Sequence, residues 1–431
     1  MTHTLPDTPL NGVVGATTPQ GHIVDAAFDV AADGSVVVAQ VTAHDPSNES
    51  APPGWLDLRG YVVTPAGAEP HAHLDKALSW SLINPAVGDL VAAVNSWQKA
   101  AATFDENSFY DRARTAALLL LRNGTTAVRT HVDILGTPED TSPEYSDPLR
   151  AIRAVNRLRA ELGGVLTVQI VALAPPGTSA ALIEDALAAG ADFVGGAPHL
   201  AASPISETRA LVAIAERNGV GIDLHADEFL SGDAATIEEF ASLVADWPPT
   251  RIRTAGHCCR LSTLRDSELS SVAGHLASSG IGVVALPITN LYLQARGITT
   301  AAPRAIAPIS ALRDAGVRVA AGADNIRDPF NPVGRADPLE TASLLLTAGH
   351  QTPTQAIDLV TNDARAVMGL PAAGLHPGAR ADLLAVRGND LVEIIGMAPA
   401  DRVVIGNGVL ISRSHTTYQT SFALDSVATS R

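Results

Sequence analysis

Hydrophobic and polar positions change rhythm twice along this chain. From about Leu10 to Val63 the apolar runs are short and alternating, as in Ser35-Val36-Val37-Val38-Ala39-Gln40-Val41, and Gly, Pro, Asp and Asn interrupt them. That texture predicts a small β-structure. It returns near the end, at 381–386, 402–405 and 409–411, where Gly406-Asn407-Gly408 reads as a hairpin turn between the last two runs. Residues 1–63 and 371–431 are expected to pair into one small β-domain beside a central unit of residues 64–370.

Through that unit and the run just before it, strand-like runs alternate with amphipathic helical patterns. Apolar runs at 61–63, 127–130, 166–173, 192–195, 221–224, 252–255, 282–286 and 318–321 make eight. Helical spacing is plain at 206–217 and at 266–279, the second closed by Gly280. Alternation of this kind predicts an α/β fold with a parallel sheet. Eight units predict a closed (β/α)8 TIM-like barrel with a small flanking β-domain built from both chain ends. A chain of 431 residues suits a barrel of about 250 residues with additions.

Composition narrows the function. A hydrophobic share of 46% supports a large core, and 17% charged residues is too few for a disordered chain. A net charge of −16 argues against a nucleic-acid surface, which needs clustered Lys and Arg. The longest apolar run, 115–121, stops at Arg122, far short of a membrane span. The first seven residues show neither a basic region nor an apolar core, and the only cysteines, Cys258 and Cys259, are adjacent. A soluble cytoplasmic protein with a small-molecule partner is the expectation.

Polar residues collect where the predicted strands end. His71 and His73 follow the first run in Glu69-Pro70-His71-Ala72-His73-Leu74-Asp75-Lys76. In extended backbone, residues i and i+2 face one side, so these imidazoles can meet at one ion or can be plain loop histidines. The rest of the chain favours the ion. His131 follows the second run in Arg129-Thr130-His131-Val132-Asp133, and His199 the fourth. His225-Ala226-Asp227-Glu228 ends the fifth, Gly256-His257 the sixth and Asp324-Asn325-Ile326-Arg327-Asp328 the eighth. Nearly half of the thirteen histidines thus lie on the edge where barrel chemistry gathers. Three His and one Asp suit one Zn2+ or Fe2+, with a position left for water. Such an ion lowers the pKa of water, and Glu228, three residues after His225, is the expected proton carrier.

These motifs, with Gly195-Gly196-Ala197-Pro198-His199 and Asp328-Pro329, resemble those of the amidohydrolase superfamily over most of the chain. Within it the chain is similar to the cytosine deaminase-like subgroup. The resemblance implies that His71, His73, His225 and Asp324 bind one metal. It implies that Glu228 carries a proton to a ring nitrogen and departing ammonia, and that His257 stabilises the developing tetrahedral centre. Asp324 would double as a proton acceptor, and a homo-oligomer is implied. Binuclear members bridge their metals with a carboxylated lysine after the fourth strand. Lys76 and Lys99 are the only lysines, and 195–202 contains none, so one metal is expected.

The expected reaction converts an aminated N-heterocycle to its carbonyl form with release of ammonia. Two departures bear on the substrate. Cytosine deaminases hold the pyrimidine with a glutamine after the third strand, where this chain has Pro175, which carries no donor. Asn325 follows Asp324, and 324–328 is similar instead to enzymes that strip alkylamines from s-triazines such as N-isopropylammelide; those lack the glutamate at position 228. Candidate substrate contacts are His131, Asn325 and Gln294, the last as a replacement amide. His131 and His199 read equally as buried hydrogen-bonding partners. Cys258 and Cys259 read as core packing, and Lys76 as a pocket or loop residue. The alternatives are removal of an alkylamine, opening of a ring amide, and a catalytically silent scaffold.

Overall fold

The computed structural model describes residues 5, 8–47, 50–136, 146–231, 236–417 and 419; most of the first seven residues, His3 included, lie outside them. Five strands open the chain: β1 (Gly12–Thr17), β2 (Ile23–Val30), β3 (Val36–Ala43), β4 (Trp55–Asp57) and β5 (Tyr61–Pro65). Eight more run through the centre: β6 (Gly67–Ala72), β7 (Thr125–Asp133), β8 (Thr167–Ala174), β9 (Phe193–Gly196), β10 (Gly221–Ala226), β11 (Arg253–His257), β12 (Gly282–Ala285) and β13 (Arg318–Ala321). Three close it: β14 (Leu383–Arg387), β15 (Arg402–Gly406) and β16 (Val409–Arg413).

The central eight pair in sequence order and all in parallel. An isolated parallel bridge between Ala72 and Asp324 brings the last strand back to the first, and the His73 N–H donates to the Asp324 carbonyl oxygen at 3.2 Å. The sheet is a TIM-like barrel. Strands β6, β9, β10, β11 and β12 are buried along their whole length, as expected of parallel strands covered by helices. The helix Asp266–Ser279 ends on Gly280, whose φ of +67° fits the left-handed turn that stops it.

The other sheet runs β16-β15-β14-β5-β1-β2-β3, with β4 beside β1. Antiparallel pairing of β5 with β14, Val63 opposite Ala385, joins the two ends of the chain. Val13, Leu58, Val63, Leu383 and Ile405 give this sheet its own core. Arg402 on β15 clasps it to the barrel, donating to both oxygens of Asp337, the cap of the helix Pro338–Thr347, at 2.9 and 2.8 Å.

One strand reading is corrected. Residues 61–63 lie in β5 of the flanking sheet, and the first barrel strand is β6. Gly67-Ala68-Glu69-Pro70 carries no β-branched residue, so its composition hides a strand. It holds because Glu69, buried among backbone donors, accepts from the Ala323 N–H at 2.8 Å and the His71 N–H at 3.2 Å. Pro70 falls where the β6–β7 register slips, the place in a ladder that tolerates a missing N–H. Among the described residues no helix is long and apolar enough to cross a membrane.

Candidate active site

Strand ends place the chemistry. His71 is the penultimate residue of β6 and His73 follows it by two, so both imidazoles fall on the same side, as the alternation predicts. His225 is next to last on β10 and His257 ends β11. Asp324 lies three residues past β13. His257 and Asp324 take φ values of +66° and +65°, left-handed backbone that non-glycine residues rarely adopt. Both residues line the cavity at this end of the barrel.

His71 Nε2 lies 3.2 Å from His225 Nε2, which lies 3.2 Å from His73 Nε2. Asp324 Oδ1 stands 3.2 Å from His73 Nε2 and 3.9 Å from His71 Nε2. A tetrahedral ion about 2.0–2.1 Å from each donor separates its ligands by roughly 3.3 Å, so the spacing fits one. Donor states fit as well. Burial holds all three imidazoles well below their usual pKa, keeping them neutral. The His73 Nδ1–H donates to the His131 carbonyl at 3.1 Å, which leaves Nε2 free to ligate. Both Asp324 carboxylate oxygens are buried without a hydrogen-bond partner among the described residues. Burial and the nearby Glu228 push this carboxyl well above its usual range, and a cation would reverse that. Clusters able to hold an ion comprise His71, His73 and Asp324, and also His71, His131 and His225.

Glu228 sits above this cluster between two histidines, with Oε1 3.6 Å from His257 Nδ1 and Oε2 3.6 Å from His199 Nε2. Burial opposes its ionisation, but His257 and His199 outweigh burial and hold it below its ordinary pKa. The Asn290 amide nitrogen lies 3.0 Å from His257 Nδ1 and orients the ring, whose Nε2 is 3.9 Å from Asp324 Oδ2. His199 is itself oriented by its Nδ1–H, which donates to the His225 carbonyl at 3.1 Å.

The cluster opens on a cavity of about 490 Å³ lined by His73, His225, Glu228, His257, Asp324 and Asn325, among others. His131 and Gln294, expected to touch substrate, do not line it. His131 is fully buried and stacks on His71 at 3.9 Å between ring centroids. Gln294 caps the helix Pro287–Leu293. Asn325 lines the cavity, but its amide donates to Asp328 at 2.9 Å and accepts from Thr289 at 3.2 Å. Burial pushes both cysteine thiols well above their usual pKa, which leaves them inert as nucleophiles.

Motif reading missed the cavity's outer wall. The helix Leu90–Ala101 lines it with Leu90, Val94, Trp97 and Gln98. Trp97 Nε1 donates to Asp133 Oδ2 at 2.6 Å, and Lys76 pairs with Asp133 Oδ1 at 2.8 Å. Asp133 was in view beside His131, but nothing in the sequence tied it to a helix some thirty residues earlier.

Residues 120–408 match the profile of the amidohydrolase family. A pterin deaminase of Rhizobium rhizogenes is 28% identical over 421 residues, covering 94% of this chain and 92% of that protein. The crystal structure of an N-isopropylammelide isopropylaminohydrolase from Burkholderia multivorans superposes with a TM-score of 0.75 at 29% identity, covering 93% of this chain and 98% of that one. A 5-methylcytosine deaminase from Klebsiella pneumoniae, liganded with phosphonocytosine, shares the fold with a TM-score of 0.82 at 24% identity, covering 95% of this chain and all of that one.

Proposed function

The chain belongs to the amidohydrolase family, and from that premise we propose that it is a metal-dependent hydrolytic deaminase of an aminopyrimidinone ring, alone or fused to a second ring. The observation that carries this reading is the convergence of His71, His73, His225 and Asp324 directly beneath Glu228 and His257. A divalent cation held by those four residues, Zn2+ or Fe2+, supplies Lewis acidity that draws the pKa of water toward neutrality.

The chain's own residues then move protons. Water adds to the amino-bearing ring carbon, and the new C–O bond forms as Asp324 and Glu228 accept its protons. Glu228, ionised between His257 and His199, delivers the proton it took to the ring nitrogen, and the proton held by Asp324 then passes through Glu228 to the amino group. The C–N bond breaks, ammonia leaves and the ring keeps a carbonyl and an N–H. His257, oriented by Asn290, donates from Nε2 to the developing oxyanion.

The near full-length similarity to a pterin deaminase favours a fused ring. Pro175 on the cavity wall, in place of an amide, disfavours cytosine alone. The second reading, release of an alkylamine from an s-triazine, draws on the similarity to the Burkholderia isopropylaminohydrolase and on the 324–328 loop. One assay separates them. Purified protein loaded with Zn2+ or Fe2+ is offered pterin, cytosine and N-isopropylammelide. Ammonia from pterin supports the first reading, isopropylamine the second, and protein that binds no metal and releases neither would be a silent scaffold.

A further inference from the structure

The cavity is larger than the reaction needs. At about 30 Å³ for each water-sized group, 490 Å³ accommodates roughly sixteen of them, about four more than the non-hydrogen atoms of a 2-amino-4-oxopteridine. The reacting carbon must sit on the floor, against Glu228, His257 and Asp324, so the opposite edge of the ring faces the outer wall. That wall is apolar: Leu90, Val94 and Trp97 on one side, with Leu173, Pro175 and Phe330 also lining the space.

The wall is also preformed. Asp89 caps its helix by accepting from the Ala92 N–H at 3.0 Å. Trp97 is pinned to Asp133, and the Lys76 ammonium lies 5.5 Å from its ring centroid. Leu90 packs with Ala93 and Leu293, backed by Phe330. Lys76 and Asp133, the charged groups on this side, are committed to each other and to Trp97. Exposed Gln98 stands at the mouth, and among the described residues its side chain takes no hydrogen bond.

We propose that the substrate carries an apolar substituent on the ring edge opposite its amino group, that Leu90, Val94 and Trp97 receive it, and that the Gln98 amide meets a polar group at its outer end. The proposal rests on the deaminase reading for the orientation of the ring. Each buried methylene contributes roughly fourfold in affinity, so a butyl or phenyl group is worth at least about tenfold.

The test is calorimetric, on zinc-loaded Glu228→Gln protein, which holds the ring unturned. A bare 2-amino-4-oxopteridine is compared with the same ring bearing a butyl or phenyl group opposite the amino group. The substituted ring should bind at least about tenfold more tightly, and Val94→Trp should collapse that ratio toward one. Gln98→Ala should weaken only a ring whose substituent ends in a hydroxyl or amide. Equal affinity for the two rings, no binding of the substituted ring, or an unchanged ratio in Val94→Trp overturns the proposal. Ammonia release from the bare ring by unsubstituted protein scores the deaminase reading separately. Turnover with equal affinities sinks the wall and keeps the reaction, whereas a preference without turnover does the reverse.

Discussion

Gly256 tests the proposed metal cradle without replacing a candidate ligand. It lies on β11 just before His257, and a Cβ there would stand 2.7 Å from His71 Cε1 and 2.8 Å from Nδ1. Ordinary contact begins at 3.4 Å, so in Gly256→Ala the imidazole must yield by roughly 0.7 Å. It has little room, because its ring already stacks on His131 at 3.9 Å and meets His225 at 4.5 Å between centroids. Metal–ligand distances tolerate only about 0.2 Å, so the donor is pushed out of range rather than relaxed around. Gly256 does not use a left-handed φ, so the substitution adds bulk and no backbone strain. Zinc affinity, measured by competition with a chromophoric chelator, should fall about 10- to 100-fold, the usual scale for disturbing a ligand's support. With metal saturating, turnover should still fall about 100-fold, as expected for a misplacement approaching an ångström. Affinity and turnover both within twofold of the unsubstituted protein would refute the cradle and remove His71 from the metal site.

Glu228→Gln should keep its metal, counted by elemental analysis, and lose about 10²- to 10⁴-fold in ammonia release; near-normal turnover would take Glu228 out of the reaction. Because its neighbours hold Glu228 below its ordinary pKa of 4.5, the ionised form persists as pH falls to that value. The acid limb of the rate profile should therefore lie below pH 4.5, and a limb near pH 6 would contradict the assigned environment. Arg402→Ala breaks a bidentate pair that is nearly fully buried and leaves Asp337 uncompensated. Urea titration should show a loss of about 3–5 kcal/mol, and a change under about 1 kcal/mol would mean the two sheets are held by other contacts.

Much of this arrangement was legible because it follows from local rules. Strand–helix alternation announced the barrel, and the matching texture at the two ends announced the flanking sheet. His71 and His73 share a side because strands alternate, whatever surrounds them. The first barrel strand was not legible, because a tertiary contact stabilises it: Glu69 holds the Ala323 amide on the far side of the ring. Asn290 stands in none of the motifs at the strand ends. Its hold on His257 depends on how one helix docks beside β11, and residue type alone does not report that.

The same division separates chemistry from specificity. Residues that would hold an ion and move protons sit on strand ends whose register is locked around the ring, down to the Ala72–Asp324 bridge that closes it. Their spacing is therefore set by the fold, and they read as motifs. The outer wall belongs to a helix between β6 and β7, attached through Trp97, Asp133 and Lys76. Its cavity-facing residues follow only helical spacing, so they read as any amphipathic face. A barrel built this way can change the ring substituent it accepts by altering Val94 or Gln98 while the geometry at Glu228 stands. On that argument a Val94→Trp protein should still release ammonia from a bare fused ring, and its loss should be confined to rings with a bulky distal group.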